Sequence, residues 1–242
     1  RDFMCDTFVR SYVENCHTAC EKTGLYLMGH IMGEDGLDQQ TMWIGDAMRA
    51  YKYFDIPGID VLCDSLDFIA AKQCRSIVNQ YGKKAMACEL YGVTNWNFDF
   101  RGHKRQGDWL AAFGVTVRVP HLAWVSMAGE SKRDYPAPIG YQSPWHTQYS
   151  YIENHFARVN TALTRGKQAV RIAVIHPIES YWLKFGPNDT SGIARQQIEQ
   201  NFSDILEWLM FSALDFDYIG ESLLPEQFSG CDCGALCVGK ME

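Results

Sequence analysis

The sequence lacks the segments and motifs that mark several large classes of protein. Its 242 residues contain no run of about 18 apolar residues, so it offers no candidate for a membrane-spanning helix. It contains neither a glycine-rich phosphate-binding motif nor the G-x-S-x-G nucleophile motif, which argues against nucleotide-dependent enzymes and serine hydrolases. Acidic residues outnumber basic ones 29 to 22, and no basic block is present, so we expect no nucleic-acid or membrane partner.

Cysteine is plentiful, but its spacing is not that of a disulfide framework or of a zinc site. The nine cysteines are odd in number, and no pair spacing recurs along the chain. The one cluster, Cys231, Cys233 and Cys237, lacks the second Cys-x2-Cys pair that a structural zinc site usually needs. We therefore expect reduced thiols, no bound metal and no other cofactor.

Four units of helix, glycine and strand follow one another along the chain. Apolar residues recur at helical spacing in four segments that each end near a glycine, and a short apolar segment follows each glycine. The helical segments are 8–20, 66–81, 101–113 and 149–164, with glycines at 24, 82, 114 and 166. The strand-like segments are 25–32, 84–89, 115–121 and 170–175, and a further helix at 40–54 precedes a strand at 57–62. This alternation predicts an α/β protein with parallel strands.

Polar side chains stand at the ends of four successive predicted strands. They are His30 with Glu34, then Asp60, Glu89 and His121. In an open doubly wound sheet, ligand groups gather mainly at one switch point. In a TIM barrel, the carboxyl end of every strand faces the active site. The pattern therefore favours a barrel.

The chain divides into two predicted domains. Residues 1–166 are predicted to form the C-terminal half of a TIM (β/α)8 barrel, whose earlier strands we expect upstream of Arg1. Residues 167–242 are predicted to begin a flavodoxin-like α/β domain, because a strand, a long helix at 194–213 and a strand at 216–219 form a second βαβ unit. Half a barrel exposes an unpaired strand edge, so we expect this chain on its own to be aggregation-prone and inactive.

Glu89 and Glu34 are the predicted catalytic carboxylates. Glu89 ends an apolar strand, and at the mouth of a barrel it could attack an anomeric carbon or act as a base. Glu34 lies in a glycine-rich turn two strands earlier and could donate the proton, with its pKa raised by burial or by the other carboxylate. Structural alternatives remain open, because Glu89 could pair with Arg118 or Lys84 and Glu34 could favour a helix N-terminus.

Six further residues are predicted to bind the substrate. They are His30, Asp60, Tyr91, Trp96, His121 and Trp145. Histidine and aspartate side chains could hydrogen-bond sugar hydroxyls, and aromatic rings could stack on a sugar. Alternatively, the aspartate caps a turn, the histidines are structural and the rings form the core of their own loops. Metal ligation by His30, His121 and Glu34 lacks the H-x-H or H-E-x-x-H spacing that would support it.

Several motifs taken together resemble one family. They are GHIMGE at 29–34, IPGID at 56–60, CELYG at 88–92, KRDYP at 132–136, HFAR at 155–158 and IAVIHP at 172–177. In this combination the chain resembles the bacterial rhamnosidase-like TIM-barrel glycoside hydrolases over nearly its whole length. The resemblance implies that Glu89 is a catalytic carboxylate near the end of the penultimate barrel strand, with Glu34 earlier on the rim of the same cleft.

The same resemblance extends to the C-terminal part of the chain. It implies that residues 167–242 begin a domain akin to the glutamine-amidotransferase-like trimerisation domain of barrel β-galactosidases, through which homo-oligomers could form. The first expectation for function is thus a glycoside hydrolase acting on an oligosaccharide or glycoside of plant or microbial origin. A non-catalytic carbohydrate-binding relative and a metal-dependent barrel hydrolase are the alternatives. The sequence leaves the sugar, the linkage and the compartment, cytoplasmic or periplasmic, open.

Overall fold

The structure, a computed structural model, describes residues 1–133, 135–232 and 235–240. Its helices are α1 Asp2–Phe8, a π-helix Val9–Glu14, α2 Asn15–Thr23, α3 Leu37–Trp43, α4 Ala47–Tyr51, α5 Phe68–Tyr81, α6 Phe100–Ala112, two 3-10 helices Glu130–Arg133 and His146–Gln148, α7 Ser150–Leu163, α8 Ile178–Trp182, α9 Asn188–Phe211 and α10 Leu224–Gln227. Its strands are β1 Met28–Gly29, β2 Ile56–Val61, β3 Ala87–Leu90, β4 Val117–Pro120, β5 Ala173–His176, β6 Asp217–Gly220, β7 Phe228–Asp232 and β8 Ala235–Val238. The side chains of Cys231 and Cys233 lie outside the described residues, so their state stays a prediction.

The first four strands form one curled, parallel sheet in the order β1–β2–β3–β4. Helices connect successive strands, as parallel pairing requires. β5 and β6 form a separate two-stranded parallel sheet, and β7 pairs with β8 in an antiparallel hairpin. The predicted α/β class with parallel strands is therefore confirmed.

Glycines end two of the predicted helices in the left-handed conformation. Gly24 and Gly82 have φ of +69° and +60° after α2 and α5, and their amides bond back to the last helical turn. An L-residue with a side chain adopts this conformation only at a steric cost, whereas glycine does so freely. The chain can therefore leave each helix abruptly and return toward the sheet.

Two elements are shorter than the sequence pattern predicts. The strand predicted at 25–32 pairs with β2 over only two residues, because Gly29 has φ of +154° and leaves the extended conformation. The helix predicted at 40–54 is split at Gly45, which has φ of +87°. Asp46 then starts α4 by accepting the backbone amide two residues further on at 2.8 Å.

The strands of the curled sheet present two different faces. Ile59, Val61 and Leu90 are fully buried in the main hydrophobic core, to which the inner side of α5 also contributes. Asp60 and Glu89 project from the opposite face, because successive side chains of a strand alternate in direction. Both are only partly buried. The polar residues of these strands are thus directed away from the main core.

One buried cluster joins the two predicted domains. Ile77 of α5 belongs to the same hydrophobic cluster as Tyr181, Phe202 and Tyr218, which come from the C-terminal part of the chain. An ion pair also connects the two parts, since Arg49 lies 2.6 Å from Glu179. The C-terminal elements therefore pack directly on the helices of the first sheet, and the domain boundary at 166 stays a prediction.

The longest described helix, α9, begins at Asn188 rather than at the predicted residue 194. Asp189 in its first turn suits the positive end of the helix dipole. One side of α9 packs into the core through Phe202 and Leu206, while Trp208 on its outer side is 67% exposed. None of the helices in the described part of the chain combines the length and apolar character needed to cross a membrane.

Candidate functional site

The carboxyl ends of β1, β2 and β3 bring three predicted site residues together. Asp60 and Glu89 are register partners on adjacent parallel strands and project from the same face. His30 follows β1 directly, and its Nε2 lies 3.2 Å from Oε2 of Glu89. One nitrogen or oxygen atom from each of the three residues lies within 4.8 Å of the other two. We call His30, Asp60 and Glu89 the edge cluster.

Both ring nitrogens of His30 face hydrogen-bond acceptors. Nδ1 lies 3.1 Å from the carbonyl oxygen of Ile31, and Nε2 faces the carboxylate of Glu89. A neutral imidazole has one N–H group, so only the imidazolium form can donate to both acceptors. The geometry therefore favours a positively charged His30 beside a negatively charged Glu89.

The surroundings of Asp60 differ from those of Glu89. Burial raises the pKa of Asp60 above its ordinary value, and the charge of Glu89 raises it further, whereas His30 and His121 oppose the rise. One carboxyl oxygen of Asp60 is buried and has no hydrogen-bond partner. Neighbouring carboxyl groups in such different surroundings have the arrangement that acid–base chemistry uses.

The loops that leave the edge cluster have a strained backbone. Six non-glycine residues in the described ranges have positive φ, and five of them follow β2 or β3: Cys63, Asp64, Tyr91, Val93 and Asn95. Val93, at +56°, is the most unfavourable, because β-branched residues rarely adopt this conformation. Each such residue costs on the order of 1–3 kcal/mol, and they are concentrated at ligand sites in proteins. The strain thus points to the same edge of the sheet.

His121 forms the wall of the site on the β4 side. Its ring packs against Gly92, where a Cβ atom would come within 2.8 Å of the imidazole. The carbonyl oxygen of Pro136 accepts two amides of the loop after β3, at 3.0 and 3.2 Å, and so ties together the loops that follow β3 and β4. His121 is also close enough to lower the pKa of Asp60.

Glu34 lies in the core rather than on an open rim. Its side chain is 5% exposed, and its Oε1 accepts a hydrogen bond from the buried Tyr51 hydroxyl at 3.1 Å. Its charge would act on the thiol of Cys88, which projects from β3 on the face opposite to Glu89. Burial raises the pKa of Glu34 to about 8. The structure therefore pairs Glu89 with His30 and Asp60, not with Glu34, and the catalytic role of Glu34 stays a prediction.

The three aromatic residues predicted to stack on a sugar differ in exposure. Tyr91 is fully buried, and Trp145 is half-buried and stacks on Tyr149 at a centroid distance of 5.7 Å. Both rings also contact the buried His103, so they belong to the core of their own loops, as the structural alternative expects. Trp96, at 44% exposed, is the one of the three whose ring is most available to a ligand.

The structure gives neither of the ion pairs that would make Glu89 a purely structural residue. Arg118 pairs with Glu153 at 2.8 Å, and Lys84 donates to the hydroxyl of Tyr26 at 2.7 Å. The sequence analysis treated His30 and Asp60 as substrate-binding residues and did not foresee that they flank Glu89. A signal was present, since Asp60 and Glu89 each stand one residue before the end of their strand.

The edge cluster also has donor atoms that could bind a metal ion. It is the one group of three His, Cys, Asp or Glu residues, among those with described placement, whose ligand atoms lie within 4.8 Å of one another. Imidazole and carboxylate are common ligands of divalent metals. Two larger cavities, of about 410 and 540 Å³, lie beside α9, and no residue of the edge cluster lines either of them. Concavity and chemistry therefore do not coincide in this chain.

Comparison with known proteins does not identify a family. No protein-family model matches the chain, and no curated protein has significant sequence similarity to it. The resemblance to rhamnosidase-like glycoside hydrolases therefore stays a prediction based on the motifs given above. The geometry of the edge cluster is the observation from which function must be argued.

Proposed function

We propose that the protein is a glycoside hydrolase in which Glu89 and Asp60 are the two reacting carboxyl groups. The observation that supports this proposal is their placement side by side at the carboxyl ends of adjacent parallel strands. In this proposal the curled sheet is the C-terminal half of a TIM barrel, and β5, α9 and β6 begin a flavodoxin-like domain. The motif resemblance favours the same class of enzyme, with a glycoside or oligosaccharide as substrate.

The proposed chemistry gives the two carboxyl groups different tasks. Asp60, whose pKa is raised, is the proton donor to the glycosidic oxygen, and Glu89 attacks the anomeric carbon. His30 holds the Glu89 carboxylate in place at 3.2 Å. The separation of at most 4.8 Å between one oxygen of each group is closer to the roughly 5–5.5 Å of retaining enzymes than to the roughly 6.5–9.5 Å of inverting ones.

Turnover of a panel of aryl glycosides, including rhamnosides, tests the proposal. We expect Glu89→Gln to reduce kcat on every active substrate by about 10²–10⁴-fold. Asp60→Asn should reduce kcat strongly when the leaving group is poor and little when it is an activated nitrophenol, which needs no proton. Glu207→Gln changes an exposed glutamate of α9 and serves as the matched control. Unchanged activity of Glu89→Gln would exclude the assignment, and sugar binding without turnover would favour the binding-protein alternative.

A metal-dependent barrel hydrolase is the second candidate, favoured by the close approach of donor atoms in the edge cluster. His30, Asp60 and Glu89 would be the ligands, and a bound divalent ion would lower the pKa of a coordinated water. Calorimetric titration of chelator-treated protein with Ca²⁺, Mn²⁺ and Zn²⁺ tests this candidate. Stoichiometric binding that is lost in His30→Ala supports it. Full activity after chelation, with no metal bound, rejects it.

A further inference from the structure

The loop between β1 and α3 is held from inside the core at Glu34. The backbone carbonyl oxygen of Glu34 accepts hydrogen bonds from the side-chain amides of Gln73 at 2.8 Å and Gln40 at 3.3 Å. The Gln40 amide also donates to Gln73 Oε1 at 3.0 Å. With the Tyr51 hydroxyl on the carboxyl group, Glu34 is bonded through both its backbone and its side chain. The three partners are 0% exposed.

The carboxyl of Glu34 is surrounded by neutral or acidic groups. Tyr51 of α4 faces it, Asp67 stands at the start of α5, and Asp60 belongs to β2. The thiols of Cys74 on α5 and Cys88 on β3 complete the set of titratable neighbours. Because none of these groups is cationic, an ionised Glu34 would be a buried charge without a counter-ion.

A second set of contacts fixes the far end of the same loop. Glu199 of α9 accepts the backbone amides of Leu37 and Asp38, both at 2.9 Å, at the N-terminus of α3. Gly36 is required beside it, since a Cβ there would lie 2.7 Å from Oε1 of Glu199. The loop is thus anchored in its middle and at its end, and His30 lies on its remaining part, facing Glu89.

We propose that Glu34 is a positioning residue, whose uncharged carboxyl anchors the loop that holds His30 against Glu89. Burial, which raises the pKa of Glu34 to about 8, keeps the carboxyl protonated at neutral pH. As the pH rises through about 8, the carboxyl ionises and is driven out of its apolar surroundings, and the contact of His30 with Glu89 is lost. This inference deepens the proposed function, and its kinetic part rests on that function.

The first test follows His30 directly by NMR of the full chain with ¹⁵N-labelled histidine, the His30 signals being assigned with His30→Gln. We expect the wild-type signals to change between pH 7 and pH 9 beyond the change seen in Glu34→Gln. That variant keeps the oxygen that accepts from Tyr51 but cannot ionise. Identical His30 titrations in the two proteins would overturn the proposal. The wild-type titration alone decides it if the variant does not fold, since signals constant above pH 7 also overturn it.

Thermal unfolding from pH 5 to pH 9 gives a second measurement. A carboxyl whose pKa is raised in the folded state stabilises the protein at low pH, and this stabilisation is lost as the pH rises through the folded-state value. The Tm of the wild type should therefore fall relative to that of Glu34→Gln between about pH 5 and pH 8. A constant difference in Tm would contradict an uncharged Glu34.

Kinetics separate positioning from catalysis. We expect Glu34→Gln to retain turnover at neutral pH and to extend activity to higher pH, whereas a catalytic acid would lose turnover at every pH. Loss of activity in Glu34→Gln equal to that in Glu89→Gln, with the fold intact, overturns the proposal. If no variant and no wild-type preparation hydrolyses a glycoside, the proposed function fails while the NMR and unfolding tests still decide the role of Glu34.

Discussion

The edge cluster contrasts with a second group of charged residues, which lies between α5 and β6. In this interface cluster, Lys72 is 5% exposed, and its Nζ lies 2.5 Å from Asp215 and 4.0 Å from Asp217. Asp217 is fully buried and also accepts hydrogen bonds from Asn79 at 2.9 Å and Ser76 at 3.3 Å. The edge cluster is instead partly exposed, and one oxygen of its Asp60 has no partner.

The difference between the clusters separates structural from functional charge. A buried ion pair whose remaining lone pairs are satisfied joins elements of the fold, and breaking it leaves an uncompensated charge. A half-open cluster with an unsatisfied oxygen contributes little to stability but leaves acceptor capacity for a ligand. Lys72 and Asp217 therefore connect the C-terminal part of the chain to α5, whereas the edge cluster is the candidate for chemistry.

The largest expected effect on stability is that of Lys72→Met. The substitution leaves Asp217 buried without a counter-ion, so we expect the free energy of unfolding in urea to fall by about 3–5 kcal/mol. Adding Asp217→Asn should recover a large part of this loss. The matched control is Lys104→Met, because Lys104 is 54% exposed and pairs with Asp108 on the surface of α6, a contact worth about 1 kcal/mol or less. Equal losses in the two single variants would remove the distinction between the clusters.

Glu89→Gln should have a much smaller effect on stability. It removes the partner of His30 but also the repulsion between Glu89 and Asp60, so we expect a change of less than about 1 kcal/mol. Urea unfolding at pH 7 measures it, with Lys72→Met as the reference for a structural charge. A loss of about 3 kcal/mol or more would mean that Glu89 is part of the structural framework, and the proposed catalytic role would lose its basis.

The smallest effect is a shift in the titration of Asp60, which ¹³C NMR of the labelled carboxyl group can follow. In the wild type we expect a pKa above the ordinary aspartate value, chiefly because of burial and secondly because of Glu89. In Glu89→Gln the pKa should decrease but stay raised, since the larger cause remains. A group with a raised pKa stabilises the fold at low pH and loses that contribution as pH rises through the folded-state value. An unchanged Asp60 pKa in Glu89→Gln would show that the two carboxyl groups are not coupled.

Much of the first sheet could be predicted because local patterns match the fold. The helices that end near Gly24 and Gly82 and the strands that follow are encoded by spacing and by the freedom of glycine at positive φ. The strand around residue 28 was overestimated, because an apolar run does not reveal that Gly29 leaves the extended conformation. Apolar runs are ambiguous in this way wherever pairing, rather than composition, decides the length of a strand.

The candidate site was only partly predictable for the same kind of reason. His30, Asp60 and Glu89 could each be selected as polar residues at strand ends, but their mutual contact depends on strand order and register. Glu34 looked equivalent to Glu89 because both are glutamates near predicted strand ends. The contact with Tyr51, 17 residues later, makes the difference, and it exists only after α4 has packed beneath the loop.

The sequence by itself determined the α/β alternation, the places where several helices end and the set of polar residues at the carboxyl ends of the strands. These properties depend on side-chain periodicity and on the conformational range of single residues, both of which act over a few positions. Only the tertiary structure decided which carboxyl group faces His30 and which is sealed in the core. Burial and electrostatic coupling depend on atoms brought together from distant parts of the chain, so the protonation of Glu34 and Asp60 is a property of the folded protein alone.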